Sequence, residues 1–181
     1  MANALTAIRL LLVAPFSFFM TKTDTHSAIY ALIVWGVALT TDFADGPIAR
    51  RQGTVTAFSG TFDHTSDFLF VTGGIFGGAF QGVFPWILPI LIVLAFSQYV
   101  IDSYWIHRQV RLRGSKLGRY NGMLYFAPSC IEPMIRLGAR FLQPLLTALV
   151  WLLVLSTIIS MAQRLMLNRL GEQLPSRSPE K

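Results

Sequence analysis

Four aspartates lie close together along the chain, and they are the residues best suited to chemistry. Asp42, Asp45, Asp63 and Asp67 make up four of the nine acidic residues in a sequence of 181. The members of each pair are three or four positions apart, so each pair lies on one face if its segment is helical. A short turn between two such helices would bring both pairs together.

Carboxylates gathered in one place repel one another unless cations lie between them. Arg50 and Arg51 can neutralise two of them, but a set of oxygen ligands suits Mg²⁺ or Mn²⁺ better. Two such ions can stabilise both the attacking and the leaving oxygen of a phosphoryl displacement. The alternative is that the aspartates only cap helices and pair with arginines. His64 falls off the shared face of Asp63 and Asp67, which favours a packing or interface role for it over a ligand role.

The composition indicates that these acids sit in a membrane protein. Hydrophobic residues make up 53% of the chain and charged residues 13%, whereas soluble proteins carry about 25% charged residues. A globule of this length has too small an interior to bury so much apolar surface. The net charge of +6 comes from short basic clusters between apolar runs, which indicates membrane topology and no nucleic-acid partner.

Six apolar segments predict an all-α integral membrane protein, a six-helix transmembrane bundle with a polar active-site cavity facing the cytoplasm. The segments are Ala4–Met20, Ala28–Asp42, Val55–Phe80, Phe84–Ile106, Tyr120–Leu137 and Pro144–Leu165. We expect the second to continue to Gly46. Pro128, Glu132 and Pro133 interrupt the fifth, which still predicts a span because neighbouring helices can satisfy the freed carbonyl groups.

The basic residues predict the orientation of the bundle. Six spans place the Arg50–Arg51 turn, the loop over 108–119 and the C-terminal residues 164–181 on one side. Since Lys and Arg concentrate on the cytoplasmic side, this side and both termini are expected in the cytoplasm. We expect one transmembrane domain over residues 1–170 and a disordered cytoplasmic tail over 171–181, which has no apolar face.

The spacing from Asp42 to Asp67 resembles the signature of the CDP-alcohol phosphatidyltransferase family, D-x2-D-G-x2-A-R-x8-G-x3-D-x3-D. One position departs, because Ser59 stands where the family has glycine. The pattern N-x-L-T-x2-R over residues 3–9 is similar to the first helix of phosphatidylglycerophosphate-synthase-like members. The sequence SKLGR over residues 115–119 resembles their basic loop before the fifth helix, so the resemblance covers nearly the whole chain except the tail.

The resemblance implies a centre of two divalent cations, Mg²⁺ or Mn²⁺. By that resemblance, Asp42 and Asp63 bridge the two ions and Asp45 ligates one of them. Asp67 completes the second site and acts as the general base. The sequence therefore identifies Asp67 as the candidate catalytic residue and all four aspartates as candidate metal ligands.

The resemblance also implies the substrates, CDP-diacylglycerol and a small polar alcohol, with glycerol 3-phosphate as the best candidate. The residues expected at the CDP-lipid are Leu5, Thr6, Ala7, Ile8, Gly46, Ala49, Arg50 and Thr56. Lys116 and Arg119 either bind a phosphate on the acceptor or serve only as a positive-inside anchor. We further expect membrane lipids as partners and a homodimer. The expected location is a bacterial inner membrane, with the active site on the cytoplasmic side.

Several alternatives stay open at this point. His64 and Phe68 stand where glycerol-phosphate enzymes of the family usually show Pro and Lys, so inositol phosphate, serine or phosphatidylglycerol remain alternative acceptors. A different class is a membrane ion or proton transporter whose acids form a relay. Finally, the closely spaced glycines of the third segment predict tight packing against a helix of the same chain or of a dimer partner. These glycines are Gly73, Gly74, Gly77 and Gly78.

Overall fold

The computed structural model describes the backbone of residues 2–52, 57–101 and 116–173, and the side chains within 6–43, 62–101, 117–118 and 120–166. This described backbone is helical and contains no β-strand, so the all-α prediction is confirmed for it. The helices are α1 (Ala2–Met20), α2 (Thr25–Gln52), α3 (Ala57–Phe80), α4 (Ile87–Ile101), α5 (Lys116–Leu124), α6 (Phe126–Arg136) and α7 (Gln143–Gln173), with a 3₁₀ turn at Arg140–Leu142.

The fifth predicted span is a pair of helices, α5 and α6, which meet at Tyr125. Pro128 explains this position, because it has no N–H to donate to the carbonyl of Leu124, and its ring crowds that carbonyl. Each of the other predicted spans overlaps one helix, and residues 55–56 of the third span and 102–106 of the fourth lie outside the described residues. Helix α7 runs to Gln173, and residues 174–181 of the predicted tail lie outside the described residues.

Two described segments are long and apolar enough to cross a bilayer, Thr25–Phe43 and Arg140–Met166. Thr6–Met20 and Ile87–Ile101 are apolar but shorter. Large apolar side chains are exposed along these helices, among them Leu11, Trp151 and Leu155. Exposed apolar surface of this kind is what a helix presents to lipid.

Helices α1 and α3 run parallel and form the tightest contact of the fold. The rings of Phe16 and Phe70 stack with centroids 4.4 Å apart. A Cβ atom added to Gly77 would lie 2.6 Å from the carbonyl oxygen of Ser17 and 2.7 Å from Cβ of Met20. Gly73 likewise faces Ser17. Gly73, Gly74 and Gly77 of α3 therefore pack against α1 of the same chain, and Gly78 packs against Phe84 of the same chain.

Polar and aromatic contacts attach the remaining helices to this pair. Trp35 of α2 donates a hydrogen bond to the carbonyl of Phe126 in α6, at 3.3 Å. Phe68 of α3 stacks on Phe96 of α4 with centroids 3.9 Å apart. Helix α7 closes the bundle against α4 and α5, where Gln98 donates to the carbonyl of Met161 at 3.3 Å.

Side chains from other parts of the chain cap the carbonyl groups at the C-terminal end of α1. Gln81 donates to the carbonyls of Met20 and Lys22, and Arg136 donates to those of Phe19 and Lys22. The last carbonyls of a helix have no partner within it, so these donors satisfy them. Arg136 is itself held by the buried carboxylate of Glu132 at 2.8 Å.

Glycines in the left-handed conformation end both α3 and α6 at this same side. Gly138 has a φ of +110°, and its N–H bonds to the carbonyl of Ile135 while that of Ala139 bonds to Met134. Gly82, with a φ of +75°, forms the equivalent pair of bonds after α3. These are Schellman motifs, in which glycine adopts a backbone conformation that other residues rarely reach.

Helix α2 begins beside these ends with Asp24 as its N-cap. The carboxylate of Asp24 accepts hydrogen bonds from the backbone N–H of Ser27 at 2.8 Å and from its hydroxyl at 2.9 Å. These bonds favour the ionised carboxylate and lower the pKa of Asp24. The cap fixes the turn between α1 and α2, so that the two helices return past each other in antiparallel fashion.

Candidate active site

Arg9 organises the candidate site, although it lies in the apolar helix α1 and is completely buried. Its guanidinium lies 2.9 Å from Oδ1 of Asp42 on α2 and 2.9 Å from Oδ1 of Asp63 on α3. It also contacts Oδ1 of Asp67 and lies 3.4 Å from the hydroxyl of Ser66. One cation thus joins three helices and three of the four predicted metal ligands.

The sequence did not identify Arg9 as a site residue, although a signal was present. A charged side chain within an apolar helix costs free energy and is expected to pair with an opposite charge. The four aspartates were the largest concentration of such charge in the chain. The sequence therefore indicates that Arg9 needs an acidic partner, but it does not indicate which carboxylates supply it.

The three carboxylates lie at the rim of the site with Arg9 behind them. Their side chains are 36%, 33% and 23% exposed for Asp42, Asp63 and Asp67, whereas that of Arg9 is 0% exposed. Each carboxylate contacts Arg9 through its Oδ1 atom. Among the side chains that the structure describes at this site, three carboxylates contact one guanidinium, and this balance attracts cations.

The donor atoms at this rim fit a divalent cation. One ligand atom each from Asp63, His64 and Asp67 lies within 4.8 Å of the other two. Carboxylate oxygens are the ligands that Mg²⁺ and Mn²⁺ prefer. The sequence favoured a packing or interface role for His64, and the structure places its exposed ring in this group of possible ligand atoms.

Only some of the other predicted site residues have side chains that the structure describes. Thr6 is buried one turn before Arg9 on the same face of α1, while Ala7 and Ile8 are exposed. The backbone of α2 carries Asp45, Gly46, Ala49 and Arg50, and that of α5 carries Lys116 and Arg119, but the side chains of these six lie outside the described residues, as does the side chain of Leu5. Thr56 lies outside the described residues altogether.

Comparison with known families identifies the family of this chain. The family model of CDP-alcohol phosphatidyltransferase matches residues 1–169. The chain belongs to the CDP-alcohol phosphatidyltransferase family. A search of curated proteins gave no match. CDP-alcohol phosphatidyltransferases are transferases of phospholipid biosynthesis and integral membrane proteins, and they generally use divalent metals.

Family membership settles the class of activity. As a CDP-alcohol phosphatidyltransferase, the protein is an enzyme that moves a phosphatidyl-type group from a CDP-alcohol to an acceptor. The transporter alternative is therefore set aside. The geometry around Arg9 agrees with this class, because it gathers oxygen ligands at an open rim where a phosphorylated substrate can approach.

Proposed function

We propose that the protein transfers the phosphatidyl group of CDP-diacylglycerol to a small polar alcohol and releases CMP, with glycerol 3-phosphate as the first candidate acceptor. The observation that carries this proposal is the convergence of Asp42, Asp63 and Asp67 on Arg9 at one open rim. These are the aspartates that the family signature resemblance assigns to metal binding and catalysis. Asp45 is the fourth member of the set.

In this proposal the four aspartates hold two divalent cations, Mg²⁺ or Mn²⁺. Bound cations of this kind neutralise a pyrophosphate and stabilise the charge that develops on the leaving group. Asp67 accepts the proton of the acceptor hydroxyl, and the resulting alkoxide attacks the β-phosphorus. The new P–O bond to the acceptor forms as the P–O bond to CMP breaks, and the proton remains on Asp67.

The first helix and the end of α2 are proposed to bind the CDP-lipid. The candidate contacts are Leu5, Thr6, Ala7, Ile8, Gly46, Ala49, Arg50 and Thr56. The position of Thr6 supports this, since it is buried on the face of α1 that also carries Arg9. This face places the start of α1 beside the carboxylates that Arg9 contacts.

The acceptor side is proposed at the start of α5, through Lys116 and Arg119. A phosphate on the acceptor is recognised well by two such cations, which favours glycerol 3-phosphate or inositol phosphate over serine. The resemblance of the first helix to phosphatidylglycerophosphate-synthase-like members favours glycerol 3-phosphate between these two. Phosphatidylglycerol is a further acceptor that carries a phosphate.

The membrane arrangement is part of the same proposal. Six spans, with α5 and α6 together forming the fifth, place the aspartate site and both termini on the cytoplasmic side of a bacterial inner membrane. The exposed apolar side chains of α1, α2 and α7 support contact with lipid. We also propose a homodimer, with residues 1–170 as the transmembrane domain.

A panel of acceptors tests this proposal. Purified protein in detergent with CDP-diacylglycerol and Mg²⁺ or Mn²⁺ is given glycerol 3-phosphate, inositol phosphate, serine or phosphatidylglycerol in separate reactions. CMP and the lipid product are measured together. We expect CMP and product in equal amounts with glycerol 3-phosphate, and failure of all four alcohols to yield product would refute the proposed reaction.

A further inference from the structure

We propose that Arg9 is the positioning residue of the metal ligands. Its guanidinium holds one oxygen of Asp42, Asp63 and Asp67 and would thereby fix the orientation in which these carboxylates hold a cation. This inference rests on the proposed function, because it takes the aspartates as metal ligands. It adds a role for a residue of α1 that lies outside the aspartate signature.

The contacts of Arg9 have the geometry of a fixed support. All three involve Oδ1 of the carboxylate, and they come from two helices, α2 and α3. Ser66 adds a neutral anchor, since its hydroxyl lies 3.4 Å from the guanidinium and itself donates to the carbonyl of Asp63 at 2.8 Å. The guanidinium of Arg9 therefore holds all three carboxylates in fixed positions relative to one another.

Burial indicates that Arg9 stays in place when a cation binds. Its side chain is 0% exposed, whereas its three partners are partly exposed on the opposite side. Moving the guanidinium out of these ion pairs would leave a buried charge without compensation, which is strongly unfavourable.

The chemistry of arginine suits this role better than that of lysine. A guanidinium is planar and presents five N–H donors in a fixed arrangement, so it can hold several carboxylates at set angles. An ammonium on a flexible chain carries the same charge without this arrangement. Groups that hydrogen-bond to metal ligands orient them, and their loss typically weakens metal binding by about 10- to 100-fold.

Direct measurement of Mn²⁺ binding tests the inference without any substrate. Binding is followed by electron paramagnetic resonance or calorimetry on the full chain in detergent, for wild type, Arg9→Lys, Arg9→Met and the control Arg136→Lys. Arg136 is also a largely buried arginine paired with a carboxylate, at the other end of α1. The thermal unfolding of each variant is recorded in parallel.

We expect Arg9→Lys to raise the Kd for Mn²⁺ by about tenfold or more, and Arg136→Lys to leave it unchanged even if it lowers stability. Arg9→Met should also bind more weakly, despite the removal of a positive charge. Wild-type affinity in Arg9→Lys, or tighter binding in Arg9→Met, would overturn the inference, because Arg9 would then only compete with the cation. If Arg9→Met does not fold, Arg9→Lys decides the question.

The same experiment separates this inference from the proposed function. If wild type binds no Mn²⁺, the metal centre of the proposed function fails and the inference fails with it. If wild type binds Mn²⁺ and Arg9→Lys binds equally well, the inference alone fails. A tenfold loss in Arg9→Lys but not in Arg136→Lys supports both.

Discussion

Arg9 and Asp67 form an ion pair that joins α1 to α3 across 58 positions of sequence. Further along the same two parallel helices, Gly77 lies against the backbone of Ser17. The catalytic candidate is therefore held on a helix whose position depends on close packing several turns away. The α1–α3 interface thus contains both the Arg9–Asp67 ion pair and the glycine contacts that hold the two helices together.

The first prediction concerns that packing. Gly77→Ala should destabilise the protein by about 1–3 kcal/mol, because its Cβ would lie 2.6 Å from the Ser17 carbonyl and force the helices apart. Gly36→Ala is the matched control, since nothing lies within 4 Å of a Cβ built there. Thermal unfolding in detergent compares the two, and equal stability of both variants would contradict the packing described.

The second prediction concerns the metal. Mn²⁺ at about a hundred times its Kd should stabilise wild type by about 2.7 kcal/mol, because it binds only the folded state. Asp63→Asn should lose most of this gain, since it removes a charged ligand at the rim. Asp24→Asn, at the cap of α2, should keep it. Thermal unfolding with Mn²⁺ and with chelator gives the comparison, and an unchanged gain in Asp63→Asn would exclude this aspartate as a ligand.

The third prediction concerns the ion pair that supports the opposite end of the bundle. Arg136→Met should destabilise the protein by about 3–5 kcal/mol, because Glu132 would remain buried without a partner. The double variant Arg136→Met/Glu132→Gln should recover part of that loss. Arg140→Met serves as a control because Arg140 is exposed. Denaturation of the four proteins in the same detergent checks this, and a double variant no more stable than Arg136→Met would argue against the pair.

The fourth prediction concerns the acceptor. Lys116→Glu and Arg119→Glu should raise the KM for glycerol 3-phosphate by roughly 10- to 100-fold, since each would replace a charge-assisted hydrogen bond with repulsion. The KM for CDP-diacylglycerol should stay the same. Lys22→Glu, at the exposed turn after α1, provides the control. An unchanged acceptor KM in both variants would remove these residues from the acceptor site.

Local patterns in the sequence predicted most of the helical fold. Apolar segments gave the positions of the helices, and the glycines of α3 indicated close packing. The partner of those glycines was not predictable, because it depends on how α1 lies in three dimensions. The sequence predicted an interruption of the fifth span but not its position at Tyr125. That position follows from Pro128, because proline cannot donate a hydrogen bond to the carbonyl four residues before it.

The aspartates of the site were predicted because their spacing forms a specific pattern within one stretch of chain. Arg9 was missed because it is far from them in sequence, and only the packing of α1 on α3 brings it close. Contacts between distant segments are thus the part that sequence patterns did not supply.

The release of CMP from CDP-diacylglycerol tests whether the protein transfers a phosphatidyl group with Asp67 as its general base. Wild type and Asp67→Asn are assayed side by side with glycerol 3-phosphate and Mg²⁺ or Mn²⁺, with Asp24→Asn as the control outside the site. We expect acceptor-dependent CMP release by wild type and Asp24→Asn, and a loss of at least about a hundredfold in Asp67→Asn. Equal CMP release by wild type and Asp67→Asn would contradict this expectation.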